Sequence, residues 1–486
     1  MIRSPGGVPM RSRRSSAALM LLSLAIVLYG PQPGAAASQL GARLSAPLGR
    51  ATLAAPGDKL WSKRYNGPGK DDDFANAVGT SPDGSTVFVT GQSTGLAGNY
   101  DFATFAYDAG TGAKLWSKRY NGPGNRDDDA TALGVSPDGT KVFVTGASYG
   151  STGLLDYATV AYDASTGTKL WAKRYAGPGG GNDQPFALGV SPDGSTVFVT
   201  GTSFGSTFDY ATVAYVAATG KQLWIERYDG PAMRTDHALA LGVSPDGARV
   251  YVTGRSQGSG STFDYATVAY DASNGTEEWA VRYNGPGNGD DQPYALEVSP
   301  DGSKVFVTGT SYTSTVLYFD YATVAYDASG NQLWAMSYNG PQSGYDYALA
   351  LGVDPDGSAV FVTGQSGNAA LGAWDYATVA YGISDGTQLW AKIYDGPSNA
   401  DDLATDLAVS PDGSAVFVTG NSEGQNATLA YQASDGTKMW VARSKLPTAS
   451  SGIGVSPDGS KVFVTGSTYD PLTSHYDYAT VAYSAI

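Results

Sequence analysis

From residue 59 onward the chain alternates short apolar runs with clusters of turn residues. Residues 156–201 show one full cycle: DYATVAYDASTGTKLWAKRYAGPGGGNDQPFALGVSPDGSTVFVTG. Each apolar run is four to seven residues long and rich in Val, Tyr, Phe and Thr, too short for a helix and suited to a strand. Four strands per cycle follow, lettered in the order of a complete unit. Strand A (residues 186–190) reaches Ser-Pro-Asp-Gly, where Pro presets φ, Asp caps and Gly takes the left-handed position of a tight hairpin. Strand B (197–200) stops at Gly201, strand C is the YATVAY run (157–162), and strand D is KLWAKRY (169–175). Ala-Gly-Pro-Gly ends strand D, because proline cannot donate to a ladder and glycine permits the bend.

The cycle recurs eight times. A Trp marks strand D at 61, 116, 171, 224, 279, 334, 390 and 440, and the Asp of the Pro-Asp-Gly turn stands at 83, 138, 193, 246, 301, 356, 412 and 458. One unit has therefore been copied. Both faces of strands B and C carry apolar or small residues, so each sheet is covered on both sides. Sheets packed around an axis meet that requirement, with small residues such as Ala187 and Gly189 at the narrow centre and Trp at the wide rim. An open solenoid would need polar caps, and the repeats carry none. The repeat region begins with a strand D lacking its A, B and C, and ends with a strand C lacking its D. The predicted fold is all-β: a single eight-bladed β-propeller of four-stranded antiparallel blades, closed by the N-terminal strand completing the last blade.

Composition narrows the partners. Asp and Glu outnumber Lys and Arg by 45 to 30, a net charge of −15, which argues against nucleic acid. The chain has no cysteine, so disulfides, thiolate metal sites and a Cys nucleophile are excluded. Arg11, Arg13 and Arg14 precede an apolar run at 17–29 and small residues at 34–38, the pattern of a cleaved export signal. That run is shorter than the roughly 18 residues that span a bilayer, so no membrane insertion is expected after signal removal. The expected organisation is a signal peptide at 1–37, a flexible linker at 38–58 and the propeller at 59–486, in a secreted or cell-surface protein.

The string from Tyr157 to Trp171, followed by Arg-Tyr, Gly-Pro-Gly, an Asp-led strand and Val-Phe-Val-Thr-Gly, resembles the bacterial β-propeller repeat called SBBP. Its Thr-Gly-x-x-x-Trp hairpin is also similar to the blade motif of pyrroloquinoline-quinone propellers. The resemblance implies a secreted or surface propeller and no single activity. Departures fall in the last two units, where Asn426 replaces the Asp before strand C and residues 445–450 form a shortened loop.

Residues present in every copy are explained by the blade, so the Trp series and the Pro-Asp-Gly turns read as scaffold. One series carries candidate chemistry: Asp73, Asp128, Asp183, Asp236, Asp291, Asp346 and Asp402 open strand A in seven units, with Thr448 in the eighth. At the start of the innermost strand they would ring the channel mouth and take Ca²⁺ or a cationic ligand; the plainer role is to cap the D-to-A loop through backbone amides. A second series pairs the Asp before strand C with the Arg near the end of strand D, as in Asp156 and Arg174, giving rim ion pairs. The variable B-to-C loops carry Tyr149, Phe204, Tyr312, Trp374, Tyr469 and Tyr476, which beside carboxylates suit a sugar-like or protein ligand. His237 and His475 stand in different units and read as loop residues. Three functions remain: a non-catalytic binding or scaffold propeller for a protein or carbohydrate; a polysaccharide hydrolase or lyase using channel carboxylates or Glu226; and a quinone-dependent dehydrogenase.

Overall fold

The computed structural model describes residues 54–313, 318–368, 372–447 and 449–485. The expected leader (1–37), most of the linker (38–58) and Thr448 lie outside the described residues. Eight four-stranded antiparallel sheets make eight blades. Blade one comprises strands Asp73–Thr80, Thr86–Thr94, Tyr100–Asp108 and Lys114–Tyr120, and blades two to seven repeat this order along the chain. Blade eight takes Ala449–Val455, Lys461–Asp470 and His475–Ser484, and Lys59–Tyr65 is its outer strand. Arg64 lies opposite Ala479 and Tyr65 opposite Tyr478, so the first strand closes the ring as the sequence requires.

The repeated residues hold neighbouring blades together. Each strand-D Trp donates its indole N–H to a carbonyl just after strand C of the next blade: Trp116 to Ala164 at 2.8 Å, Trp171 to Ala217 at 2.9 Å and, from blade eight to blade one where the ring closes, Trp61 to Ala109 at 3.0 Å. The first Tyr of strand C crosses the same seams nearer the loops, with Tyr157 Oη donating to the Ala211 carbonyl at 3.2 Å and Tyr478 Oη to that of Ala103 at 3.2 Å. A buried indole or phenol needs such a partner, so these bonds set the angle at which one blade meets the next.

Strand A is narrow by necessity. A Cβ at Gly134 would stand 2.6 Å from Leu188 Cδ2 of the next blade, and the same crowding recurs at Gly189 against Leu241. The Gly of each Val-Thr-Gly run lies where strand A bulges: a Cβ on Gly91 would meet the Phe74 carbonyl oxygen at 2.0 Å. The Pro-Asp-Gly hairpins gather at one end of the channel, and the D-to-A and B-to-C loops at the other.

Candidate functional site

The seven ring aspartates are buried, each 0–1% exposed, and are bonded within their own blades rather than presented to the channel. Asp128 shows the pattern: Oδ2 accepts from Gly122 N at 2.5 Å, and Oδ1 accepts from Tyr149 N at 3.1 Å. Asp73, Asp183, Asp236 and Asp291 repeat both bonds, joining the D-to-A loop to the B-to-C loop. The geometry is that of a loop cap. Burial pushes the carboxyls of Asp73, Asp291 and Asp346 up to about 6, against the lowering effect of their serine and amide donors.

Beside each cap lies the Asp–Arg pair. Arg174 Nη2 stands 2.8 Å from Asp156 Oδ2, while its Nη1 donates to Ser148 Oγ at 2.6 Å and its Nη2 to the Ser148 carbonyl at 2.6 Å. Arg119, Arg227 and Arg282 repeat this, and Arg64 pairs with Asp477. The guanidinium thus ties three strands at the loop end. Blade seven keeps the arginine although Asn426 has replaced the Asp: Arg443 turns to Glu423 at 3.1 Å. Blades five and six have Ser337 and Ile393 instead, and there the carboxyls of Asp320 and Asp375 rise to about 6, chiefly through burial.

The loop aromatics stack across the hairpins that carry them, and the stacks continue into adjacent blades. Phe204 lies 5.2 Å from Phe208, Phe208 stacks at 5.8 Å on His237 of the next blade, and Arg255 sits 4.8 Å over the Phe263 ring beside it. Tyr312 meets Phe319 at 5.7 Å, Phe319 meets Tyr347 at 6.0 Å and Tyr347 meets Trp374 at 5.5 Å; Tyr345, 40% exposed, lies 4.7 Å from Tyr318. On the far side, Tyr469, Tyr476 and Phe74 form a third group, and Tyr149 lies under Arg126 at 4.9 Å. His237 belongs to strand A and not to a loop; burial first, and then Arg255, lower its pKa to about 4, so the ring is neutral near pH 7. Arg255 forms no salt bridge among the described residues; its Nη1 donates to Gln292 Oε1 at 3.4 Å.

Sequence reasoning missed Phe208, Arg255, Phe263, Tyr345 and Tyr347. It also missed two carboxylates deep in the channel. A cavity of about 300 Å³ at the Pro-Asp-Gly end is lined by glycines, prolines, aliphatic residues, Thr80 and Ser81, with Glu297 the one charged residue among the described lining. Glu297 stands in the strand-A position that is Gly or Ala in the other seven blades, and Asp406 stands where the others have Ala or Gly. Burial, then the charge of Asp406, holds the Glu297 carboxyl well above the usual range; Asp406 rises to about 7 although Leu407 N and Ile453 N both donate to it. Within-chain comparison exposes both as single departures from an otherwise uniform column. Glu226, by contrast, lies on an outer strand, far from the axis.

Residues 49–224, 156–409 and 320–475 match the family described as outer membrane protein assembly factor BamB. The chain belongs to that family of PQQ-type propeller repeats. A segment of the chain is 30% identical over 133 residues to the quinoprotein ethanol dehydrogenase of Pseudomonas aeruginosa, covering 26% of this chain and only 20% of that relative. Among solved structures, Sqt1 from Chaetomium thermophilum superposes with a TM-score of 0.60 at 13% identity, over 88% of this chain and 99% of that one. BamB from Moraxella catarrhalis gives 0.51 at 15% identity, over 88% and 99%. The quinohemoprotein alcohol dehydrogenase of Comamonas testosteroni gives 0.58 at 12%, over 88% and 76%. These likenesses establish the propeller and nothing finer.

The quinoprotein relative raises the question of a quinone cofactor. Pyrroloquinoline quinone is a planar tricarboxylic acid, and its site must supply cationic or N–H donors to those anions. The cavity at the Pro-Asp-Gly end offers Glu297 and neither Lys nor Arg among the described residues. The residues lining it do not fit the group.

Proposed function

We propose that this chain is a secreted, non-catalytic binding propeller whose loop face takes a carbohydrate. The observation that carries the reading is the run of half-exposed aromatic rings from Tyr312 to Trp374, with Tyr345 standing proud of it. Rings so placed offer apolar faces to sugar C–H groups, and the neighbouring Gln292, Arg255 and loop amides offer polar partners. Five of the ring aspartates are held on both oxygens by loop amides, and Glu297 lines the cavity at the opposite end of the channel, so the reading rests on the rings rather than on a catalytic carboxylate pair. A glycan array probed with residues 38–486 tests this. Binding should appear, and Trp374→Ala and Tyr345→Ala should each weaken it about tenfold, the effect of roughly 1.4 kcal/mol of lost stacking. A blank array, or variants that bind like the parent, would refute the reading.

A protein client is the second reading. It is favoured by Leu96, Met233 and Leu472, which are 88%, 77% and 93% exposed on loops of the same face. The family description, an assembly factor, points the same way.

A further inference from the structure

At two seams the loop end of the propeller gathers three carboxylates in equivalent positions. Between blades three and four these are Asp209, Asp229 and Asp236; between blades six and seven they are Asp375, Asp395 and Asp402. In each group one oxygen per residue lies within 4.8 Å of the others. The first group contains its own cation: Arg227 Nη2 is 2.6 Å from Asp209 Oδ2. At the second seam the strand position of that arginine is Ile393, opposite Ala377 just as Arg227 is opposite Ala211. None of Asp375, Asp395 and Asp402 forms a salt bridge among the described residues. Arg443, whose charge reaches Asp402, gives its hydrogen bonds to Ser422, Glu423 and Tyr394.

Asp402 supplies a second, separate observation. Its side chain is fully buried, and Oδ2 accepts from Gly396 N at 2.5 Å, yet Oδ1 has no well-formed hydrogen bond. A buried carboxylate oxygen left so, beside two further carboxylates, is costly unless a cation compensates it. We propose that a divalent cation of the Ca²⁺ type binds between Asp375, Asp395 and Asp402, in the place a guanidinium takes at the equivalent seam. Ca²⁺ takes hard oxygen ligands at roughly 2.4 Å in an irregular shell that water can complete, which suits three carboxylates of unequal exposure; Mg²⁺ demands near-ideal octahedral geometry. Asp395 is exposed, which leaves a route in and room for water ligands. The carboxyl of Asp375 is pushed up by burial and then by the charges of Asp395 and Asp402, in keeping with three anions that lack a counter-ion.

The test uses residues 38–486 with Ca²⁺ itself as ligand, in isothermal titration and in thermal melts with and without chelator. The parent should bind one Ca²⁺ at this seam, with a melting temperature that climbs as free Ca²⁺ exceeds its dissociation constant. Ile393→Arg restores the guanidinium and should abolish the calcium response without lowering the melt below that of the calcium-free parent. Asp395→Asn alters an exposed residue and should weaken binding at least tenfold in a folded protein. Arg227→Ile should create a second calcium response at the other seam. A flat titration of the parent overturns the proposal. So does a response that survives in both Ile393→Arg and Asp395→Asn, or a seam stabilised by acid alone and indifferent to calcium.

Discussion

Five ring aspartates, Asp73, Asp128, Asp183, Asp236 and Asp291, cap with both oxygens, and that fixes what a conservative change does there. An N-cap that accepts through a single oxygen tolerates Asn, because the amide oxygen replaces the carboxylate oxygen. Here Gly122 N and Tyr149 N both point at Asp128, so an amide there sets its NH₂ against one of the two N–H groups. Asp128→Asn should therefore cost about 1–3 kcal/mol, the penalty of a buried donor without an acceptor, read as a lower urea midpoint at unchanged slope. An unchanged midpoint would mean that one oxygen does the capping. The capping role could be read from the repeat, since Gly122 lies only six residues before Asp128. The second bond could not, because Tyr149 follows by 21 residues and only the B-to-C hairpin brings it back. Glu297 was readable in principle as one carboxylate in a column of Gly and Ala. It escapes notice because attention to what recurs passes over what departs.

At the scale of elements, the strands and their order follow from the alternation of apolar residues, and so does the closure. The PQQ-type blade motif of the Thr-Gly-x-x-x-Trp hairpin is borne out by the family match. The aromatic run was harder to read, because its partners meet across hairpins of unequal length. Phe204 faces Phe208, but Tyr312 faces Phe319, and no fixed spacing links them. Lys59–Tyr65 makes a direct test of what one strand contributes. Deleting residues 59–65 removes the partner of His475–Ser484, exposes that edge and takes away Trp61 and Arg64, which bond Ala109 and Asp477. The melting temperature should fall far more than for deletion of residues 38–53, which should leave it unchanged. Equal effects of the two truncations would show that the ring does not depend on its first strand.

For the molecule as a whole, the buried carboxyls decide how stability varies with pH. Asp73, Asp291, Asp320, Asp346 and Asp375 rise to about 6 in the folded state, and Asp129 and Asp406 to about 7, from an ordinary 3.8. A raised carboxyl binds its proton more tightly when folded, so between these values the unfolded chain carries fewer protons and stability falls as pH rises. Their contribution is full below about pH 3.8 and is lost as pH climbs through about 6 to 7. The turn aspartates oppose this: Asp301 and Asp458 are lowered to about 2 by serine and amide donors, so their contribution is full above 3.8 and is lost as pH falls through about 2. A net charge of −15 acts in the first sense, because protonation relieves self-repulsion. Melts in chelator, which keep calcium out of the comparison, should be highest between about pH 4 and 5, decline toward about pH 7.5, and decline again below about pH 3. A melting temperature that rises steadily from about pH 4.5 to 7.5 would mean that the buried aspartates are ionised and paired in the folded ring, against the geometry of blades five and six, where the arginine is gone.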